Sequence, residues 1–344
     1  MKQIKSYFEE ALKVGASDLH LVGGDKPTLR VDGNLRDLED EPIFAEDLEK
    51  AIDTLLDANK KKIFEETLEL DFGFELKGSR FRVNLHRQNG TVGLAARVIP
   101  EKIPTPQDLR FEPQLLEAIN LLDGLVLIVG PTGHGKSTTL ATMINEINKS
   151  RKSHIITIED PIEFIFKEDK SLIEQREVGT DTKSFAEALK HVLRQDPNVI
   201  LVGEMRDFET ISIALTAAET GHLVFSTLHA ASAAEAIERI IDVFDGPQQR
   251  QVMIQLASVL RIIVTQHLLP TVEGSRVAAR EIMVNSPAVS NMIKESNIAQ
   301  IYSAIQTGAK NGMQSMENSI KGLLEEGIIS EEVAEKRMLK HKQI

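Results

Sequence analysis

One segment near the middle of the chain has the residue types and spacing of a phosphate-binding loop. It reads Gly130-Pro131-Thr132-Gly133-His134-Gly135-Lys136-Ser137-Thr138. Glycines let successive backbone N–H groups converge on one phosphate, because no Cβ atom blocks the approach. The lysine can contact the β- and γ-phosphates, and the serine hydroxyl can bind Mg²⁺. The segment therefore predicts a site for ATP and Mg²⁺ in which Lys136 and Ser137 are the functional side chains.

The sequence on either side of this loop supports the interpretation. An apolar run, residues 125–129, predicts a buried strand before it, and residues 136–148 are predicted to form the helix after it. The N-terminus of that helix would add its partial positive charge to the site. A glycine-rich turn without a ligand is the alternative, and the agreement of pattern and context disfavours it. The His134 side chain could be catalytic, but such loops bind through the main chain, so we expect only its N–H group to matter.

Acidic residues follow two further apolar runs, residues 155–158 and 199–202. Hydrolysis at a phosphate loop needs carboxylates to organise water around Mg²⁺ and to accept a proton from the attacking water. The carboxyl ends of parallel strands open at one crevice, so both acidic segments are expected beside the loop. Glu163 and Glu204 are the favoured functional acids, although Glu204 follows a glycine and does not match the usual aspartate ending. Asp160 and Asp207 could equally be loop residues or helix caps.

A fourth apolar run, residues 221–229, ends in a histidine. His229 would lie at the carboxyl end of its strand, where a side chain could sense the γ-phosphate. A structural role for this histidine is equally compatible with the sequence.

The region that contains these runs alternates short apolar segments with helical ones, residues 184–194 and 208–219. Ser184 and Glu187 have the spacing of a capping box at a helix start. Alternating buried strands and helices predict a parallel sheet with helices on both faces, an α/β fold.

The region before residue 100 has a different pattern, which predicts a smaller α+β domain. A helix is expected at residues 2–14 and one or two more at 45–64, with a hairpin turn at Asp32-Gly33. Strands are expected at residues 18–22, 28–31, 35–38, 70–76, 79–88 and 90–99.

A cluster of prolines, Pro100, Pro104 and Pro106, separates the two regions and predicts a linker. The predicted division is an N-terminal domain at residues 1–99, a linker at 100–112, an ATPase core at 113–285 and a helical region at 286–344. The charged end, residues 340–343, is expected to fray.

Composition excludes several classes of protein. The chain has 344 residues, a formal net charge of −12, no Trp and two Tyr, which disfavours nucleic acid as a partner. It has no Cys, which excludes disulfides, thiolate zinc sites and cysteine nucleophiles. No apolar signal segment begins the chain, and residues 124–129 are too short to cross a bilayer. We therefore expect a cytoplasmic protein without direct membrane insertion.

These motifs together resemble those of the secretion and pilus ATPase superfamily. Residues 158–164 resemble its Asp box, residues 199–207 its atypical Walker B motif and residues 221–229 its His box. Within the superfamily, the chain resembles the PilT family of type IV pilus retraction ATPases. The resemblance extends from Ala16-Ser17-Asp18-Leu19-His20 to Gly312-Met313-Gln314-Ser315-Met316.

This resemblance implies an N-terminal PAS-like α+β domain joined to a RecA-like P-loop ATPase domain, in a homo-hexameric ring. It implies Glu163 as the catalytic base, Glu204 near Mg²⁺ and His229 as a residue that responds to the γ-phosphate. Arg82 and Arg97, and less clearly Arg110, would close over the nucleotide, although these arginines could simply be exposed on strands. The implied partner is the inner-membrane platform of the pilus machine, which would hold the ring at the cytoplasmic face of the membrane.

Retraction enzymes also carry a late motif, Ala-Ile-Arg-Asn-Leu-Ile-Arg-Glu, which is altered in this chain. The corresponding segment reads Ala288-Val289-Ser290-Asn291-Met292-Ile293-Lys294-Glu295. Ser290 and Lys294 replace the two arginines, which weakens any argument from guanidinium geometry there. The apolar positions are kept, and they could serve only for core packing.

Three other functions compete with retraction, and one of them, a nucleotide-binding regulator without turnover, is disfavoured by the presence of Glu163, Lys136 and Ser137. Pilus-assembly and type II secretion ATPases resemble the core, but they typically carry an extra N-terminal domain and a four-cysteine zinc site. A RecA-like ring helicase would need basic grooves and stacking aromatics, which the acidic charge and few aromatics disfavour.

Overall fold

A computed structural model describes residues 3–31, 33–99 and 102–341. Parts of several predictions lie outside these ranges: Lys2 of the first helix, Asp32 of the hairpin turn, Pro100 of the linker and residues 342–343 of the charged end. The chain separates into two compact units. The N-terminal unit comprises Met1–Lys102 and Pro161–Ile165, and the C-terminal unit comprises Ile103–Asp160 and Phe166–Ile344.

The N-terminal unit is an antiparallel sheet with three helices. The six-stranded sheet has the order β3-β2-β1-β6-β5-β4. Its strands are β1 (Asp18–Val22), β2 (Thr28–Val31), β3 (Asn34–Asp37), β4 (Glu69–Leu76), β5 (Ser79–Gln88) and β6 (Thr91–Ile99). Its helices are α1 (Ile4–Lys13), α2 (Ala45–Asp53) and α3 (Ala58–Thr67). The unit thus has the α+β character that its sequence predicts, because tight turns join neighbouring strands of alternating polarity and helices α2 and α3 lie between two groups of strands.

The two faces of this sheet differ in polarity. One face packs its apolar side chains, such as Leu19, Val83 and Leu94, into a core with the apolar sides of the helices. Phe8 of α1 is fully buried there, and its ring lies 4.9 Å from the ring centroids of both Phe74 and Phe81. Because side chains alternate along a strand, the opposite face carries the polar residues between these apolar ones.

The C-terminal unit is built on a seven-stranded sheet in the order β13-β12-β7-β11-β10-β8-β9. Its strands are β7 (Gly124–Val129), β8 (His154–Glu159), β9 (Leu172–Glu177), β10 (Val199–Val202), β11 (Leu223–Leu228), β12 (Leu260–Pro270) and β13 (Arg276–Val284). Every residue of β7, β10 and β11 is buried, which explains the unbroken apolar sequences of β7 and β10.

One feature of the sheet corrects the prediction of a purely parallel arrangement. Strands β7 to β12 pair in parallel, but β13 runs antiparallel to β12 and forms a sheet edge. The two strands are joined by a hydrogen-bonded turn in which Ser275 and Thr271 pair. A short polar connection forms such a hairpin without a crossover helix, so no helix marks this strand pair in the sequence.

Helices make up the rest of the C-terminal unit, and side-chain caps define several of their starts. They are α4 (Pro113–Ile119), α5 (Lys136–Ser150), α6 (Phe185–Val192), α7 (Phe208–Glu219), α8 (Ala233–Asp242), α9 (Gly246–Val259), α10 (Pro287–Lys294), α11 (Ile301–Thr307), α12 (Met316–Glu325) and α13 (Glu331–His341). Ser184 caps α6 by accepting from the Glu187 N–H group, as the capping pattern predicts. Asp207 caps α7 in the same way through the Thr210 N–H group. Among the described residues, no helix is both long and apolar enough to cross a membrane.

Replacing Phe8 with Ala should destabilise the N-terminal unit, because it removes a fully buried ring that two aromatic neighbours contact. We expect the free energy of unfolding to fall by about 3–5 kcal/mol. Urea unfolding, with hydrogen exchange to assign the transition to this unit, measures the change. Phe44→Ala is the matched control, because Phe44 is 78% exposed and should change stability by less than about 0.5 kcal/mol. Equal losses in both variants would contradict the assigned core.

Candidate active site

The predicted phosphate loop connects β7 to α5 in the C-terminal unit. Gly130, Gly133 and Gly135 have φ angles of +147°, +77° and +79°, a region that disfavours residues with a Cβ atom. Gly135 is the residue before the first turn of α5, so the unpaired N–H groups at that helix start lie at the loop. The backbone therefore has the conformation that a phosphate cradle requires.

Lys136 is buried within this loop. It is 8% exposed, and its Nζ atom donates to the carbonyl oxygens of Gly130 at 2.8 Å and Pro131 at 3.0 Å. A buried ammonium group needs such partners, because its desolvation would otherwise be costly. The charge is thus held among the loop carbonyls, at the position from which a lysine can contact the phosphates of a nucleotide.

Strand β12 supports the loop through Gln266. Its side-chain Nε2 atom donates to the His134 carbonyl at 2.7 Å, and its Oε1 atom accepts from Thr139 Oγ1 at 2.8 Å. Its backbone oxygen lies so close to Gly130 that a Cβ atom there would be 2.4 Å away. The buried side-chain amide of Gln266 therefore connects strand β12 to both the phosphate loop and helix α5.

His134 fixes the other side of the loop to β12. Its Nδ1 atom accepts from the Leu268 N–H group at 2.9 Å, so this nitrogen carries no proton. Burial lowers the pKa of His134, and the nearby charges of Arg337 and Lys136 lower it further. A neutral ring that accepts a backbone hydrogen bond is well suited to anchoring the loop.

A cavity of about 350 Å³ opens beside the loop. Its lining includes Gly135, Thr138, Leu268, Arg276 and Arg110. The volume falls within the range of small-ligand pockets, and the walls combine apolar and hydrogen-bonding groups. Its place next to the phosphate loop makes it the candidate site for the base and sugar of a nucleotide.

Arg280 forms one wall of this cavity and is only 1% exposed. Its guanidinium donates to Glu112 Oε2 at 3.0 Å, to the Leu109 carbonyl at 3.1 Å and to Gln266 Oε1 at 2.9 Å. Burial lowers the pKa of Arg280, and Glu112 opposes this shift. The arginine thereby fastens the segment 109–112 to the strand that supports the phosphate loop.

Two of the predicted residues meet at the ends of neighbouring strands. His229 follows β11 and Glu204 follows β10, and the His229 Nε2 atom lies 3.4 Å from Glu204 Oε1. The Arg206 Nε atom lies 2.6 Å from the same oxygen. Burial lowers the pKa of His229, Lys136 lowers it further, and Glu204 opposes the shift. Because β10, β11 and β7 run parallel and Leu228 is paired with Val129, the Glu204–His229 pair lies at the same end of the sheet as the phosphate loop.

The glycine before Glu204 has a packing reason. A Cβ atom at Gly203 would lie 3.3 Å from the Ile158 carbonyl of the adjacent strand β8. Gly203 also donates its N–H group to that carbonyl at 2.8 Å. The close approach of the two strands explains the unusual residue before the acid. Asp207, the other acid in this segment, is the helix cap described above.

The predicted arginines lie in different units. Arg82 and Arg97 are directly paired residues on β5 and β6 of the N-terminal unit. Arg82 Nη1 lies 3.9 Å from Oε1 of Glu163, which belongs to the same unit through the segment Pro161–Ile165. Arg110 lies in the C-terminal unit, where it pairs with Glu326 and lines the cavity. The catalytic roles of Glu163, Arg82, Arg97 and Arg110 remain predictions.

Among the residues that the structure describes, no group of three or more His, Cys, Asp or Glu side chains is arranged to hold a metal ion. An Mg²⁺ ion at a phosphate loop usually takes only one or two protein ligands and completes its shell with phosphates and water. Ser137, at the start of α5, and Glu204 are the predicted metal residues.

Comparisons with known proteins identify the family. The model of the family described as "Type II/IV secretion system protein" matches residues 1–334, and the chain belongs to this family. The type IV pilus retraction ATPase PilT of Pseudomonas aeruginosa is 48% identical over 326 residues, which cover 94% of this chain and 95% of that protein. A twitching motility protein of Neisseria gonorrhoeae is 45% identical over 313 residues, which cover 90% and 84%.

A solved structure is similar over nearly the whole length. The crystal structure of the pilus retraction motor PilT with bound ADP has a TM-score of 0.89 and 45% identity, covering 97% of this chain and 96% of that one. The predicted resemblance to the retraction ATPases, the two-domain fold with a RecA-like domain and the ATPase class are therefore confirmed.

Gln266 and Arg280 are site residues that the sequence analysis missed. They lie on β12 and β13, which it did not predict. The available signal was the polar group Thr265-Gln266-His267 in the middle of an otherwise apolar run. Polar residues in a buried strand need partners, so such an interruption indicates a site or a hydrogen-bond network.

Gly130→Ala should weaken ATP binding, because the added methyl group would meet the Gln266 carbonyl and the φ angle of +147° is strained for alanine. Strain of about 1–3 kcal/mol corresponds to an affinity about 5- to 150-fold lower, measurable by titration calorimetry with ATP. Gly322→Ala is the control, because Gly322 lies within α12 with open space around it and should leave binding unchanged. Unchanged affinity in Gly130→Ala would refute this view of the loop.

Proposed function

We propose that this chain is the ATP-hydrolysing motor of type IV pilus retraction and works as a ring of six subunits. The observation that carries the proposal is the 48% identity to a retraction ATPase along 94% of the chain, which includes a phosphate loop of the required conformation. The buried Lys136 and the cavity beside it support ATP as the substrate.

Mg²⁺ would be held by the Ser137 hydroxyl, with Glu204 orienting the water around it. When bound, the ion would neutralise charge on the β- and γ-phosphates. Glu204 suits this role because Arg206 and His229 hold its carboxylate at a strand end. His229 could then register the γ-phosphate through its contact with Glu204.

In this proposal, the loop amides and Lys136 hold the triphosphate while Glu163 orients a water molecule and accepts its proton. The water oxygen attacks the γ-phosphorus in line as the bond to the ADP oxygen breaks. Arg82, Arg97 and Arg110 neutralise the negative charge on the transferring phosphoryl group. ADP and phosphate are released, and repeated turnover supplies the mechanical work.

The partner of this motor would be the platform of the pilus machine in the inner membrane. The ring would act at the cytoplasmic face without inserting a helix into the bilayer. Nucleic acid is not a proposed partner, because the formal net charge of −12 opposes phosphate backbones.

Pilus assembly is the second candidate function. It is retained because the late motif that retraction enzymes carry is altered in this chain. Val289 and Ile293 of α10 are fully buried in the core, so they serve packing. Ser290 and Lys294 stand where retraction enzymes carry arginine, which removes guanidinium groups from that helix.

Lys136→Ala and Glu163→Gln should both fold but lose hydrolysis. The first removes the phosphate-binding charge, and the second removes the base, a loss of about 10²- to 10⁴-fold in kcat. Steady-state phosphate release measures it. Lys321→Ala and Glu117→Gln, at exposed helix positions, are matched controls and should retain full activity. Normal turnover in Glu163→Gln would refute its role as the base.

Deleting the gene in its own bacterium separates retraction from assembly. Retraction predicts cells with excess surface pili and no twitching, because pili would extend but not shorten. Electron microscopy of surface pili and a twitching assay measure both traits, and complementation with the unaltered chain is the control. A deletion strain without pili would support the assembly function.

A further inference from the structure

A row of charged residues crosses the polar face of the N-terminal sheet. The strand register pairs Arg30 of β2 with Asp18 of β1, Asp18 with Arg97 of β6, and Arg97 with Arg82 of β5. Directly paired residues of antiparallel strands lie side by side on one face of the sheet. One carboxylate is therefore placed within a row of guanidinium groups, in the order Arg30, Asp18, Arg97, Arg82.

Asp18 is the buried member of this row. It is 8% exposed, and its Oδ1 atom accepts from Arg97 Nε at 2.8 Å. Its Oδ2 atom accepts from Ser17 Oγ at 2.8 Å and lies 3.8 Å from Arg30 Nε. Burial raises the pKa of Asp18, but the hydrogen bonds from Arg97 and Ser17 outweigh this effect and the pKa is lowered. The carboxylate is thus a fixed negative charge.

Arg97 is the exposed member of the pair, with 68% of its side chain accessible. A long exposed arginine samples many rotamers, and fixing it costs conformational entropy. Its neighbour Arg82 carries the same charge directly opposite, which disfavours a close arrangement of the two guanidinium groups. A buried carboxylate bound to Nε offsets both effects, since it neutralises the repulsion and fixes where the guanidinium lies.

We propose that Asp18 is a positioning residue for ATP hydrolysis, which holds Arg97 on the sheet in the place from which it acts on the phosphoryl group. This inference rests on the proposed function, in which Arg97 neutralises the charge of the transferring phosphate. It assigns a role to the segment Ala16-Ser17-Asp18-Leu19-His20, in which Ser17 and Asp18 together form the anchor for the arginine.

A double-mutant cycle of kcat tests this role in the full-length protein. Arg97→Ala should lower kcat about 100-fold or more, as the loss of an arginine that neutralises the phosphoryl charge does. Asp18→Ala should lower kcat about 10- to 100-fold, because a misplaced group loses most of its effect. The KM for ATP should change by less than about threefold, since the phosphate loop is untouched. The double variant should be no slower than Arg97→Ala alone, because Asp18 acts through Arg97.

Two further variants distinguish positioning from a purely structural ion pair. Asp18→Asn keeps an oxygen that can accept from Arg97 Nε, so it should recover part of the activity that Asp18→Ala loses. Asp37→Ala is the matched control, because Asp37 on β3 accepts a hydrogen bond from Thr28 in the same sheet and should leave kcat unchanged. Thermal unfolding reports on folding, and if Asp18→Ala does not fold, Asp18→Asn and its double variant with Arg97→Ala take its place in the cycle.

The outcomes distinguish the positioning role of Asp18 from the proposed role of Arg97 in hydrolysis. If Arg97→Ala lowers kcat while both Asp18 variants keep full activity, Arg97 acts without Asp18 and the positioning role is wrong. Equal slowing by the Asp18 variant in the presence and absence of Arg97 would also overturn it. If Arg97→Ala itself keeps full activity, the proposed role of Arg97 fails, and the role of Asp18 fails with it.

Discussion

The close approach of strand β12 to the phosphate loop is the constraint on which the site depends. The Gln266 carbonyl occupies the space that any side chain at Gly130 would need, at 2.4 Å from the Cβ position. The Gln266 side chain meanwhile binds both the loop and the first turns of α5. Because protein interiors are close-packed, this contact restricts how the glycine, the strand and the helix can be arranged. Preorganisation of this kind lets the loop amides meet a phosphate without rearrangement at the moment of reaction.

Two buried charged side chains of the C-terminal unit, Lys136 and Arg280, are stabilised by hydrogen-bond partners. Lys136 donates to loop carbonyls, and Arg280 donates to Glu112, to Gln266 and to backbone oxygens. Such groups would be costly without these contacts, so they link distant segments of the chain. Arg280 connects the segment 109–112, of which Leu109 and Arg110 line the cavity beside the loop, to Gln266, which supports the phosphate loop. A change on one side of the cavity therefore has a direct hydrogen-bonded route to the other.

Local patterns predicted the elements of this fold well where the pattern was itself the cause of the structure. The glycines of the loop, the buried strands and the Ser184 cap were readable because steric freedom, burial and capping each leave a signature in sequence. The β12–β13 hairpin was missed, and with it Gln266 and Arg280, because a partner 14 residues away across two strands leaves no periodic signal. The anchoring of Arg97 by Asp18 likewise joins residues 79 positions apart. The sequence indicated which residues have chemical functions. Contacts between residues that are distant in sequence determine which partners position those residues.

Ser290, one of the altered positions of the late motif, contacts the C-terminal end of helix α9. The last carbonyls of a helix have no partner within it, and here Ala257 accepts from Asn285 Nδ2 and Ser290 Oγ, both at 3.0 Å. Ser290 therefore links α10 to α9 through a hydrogen bond. The packing of α10 is kept through Val289 and Ile293. In this chain the serine thus connects two helices, and Lys294 is the basic residue in the last turn of α10.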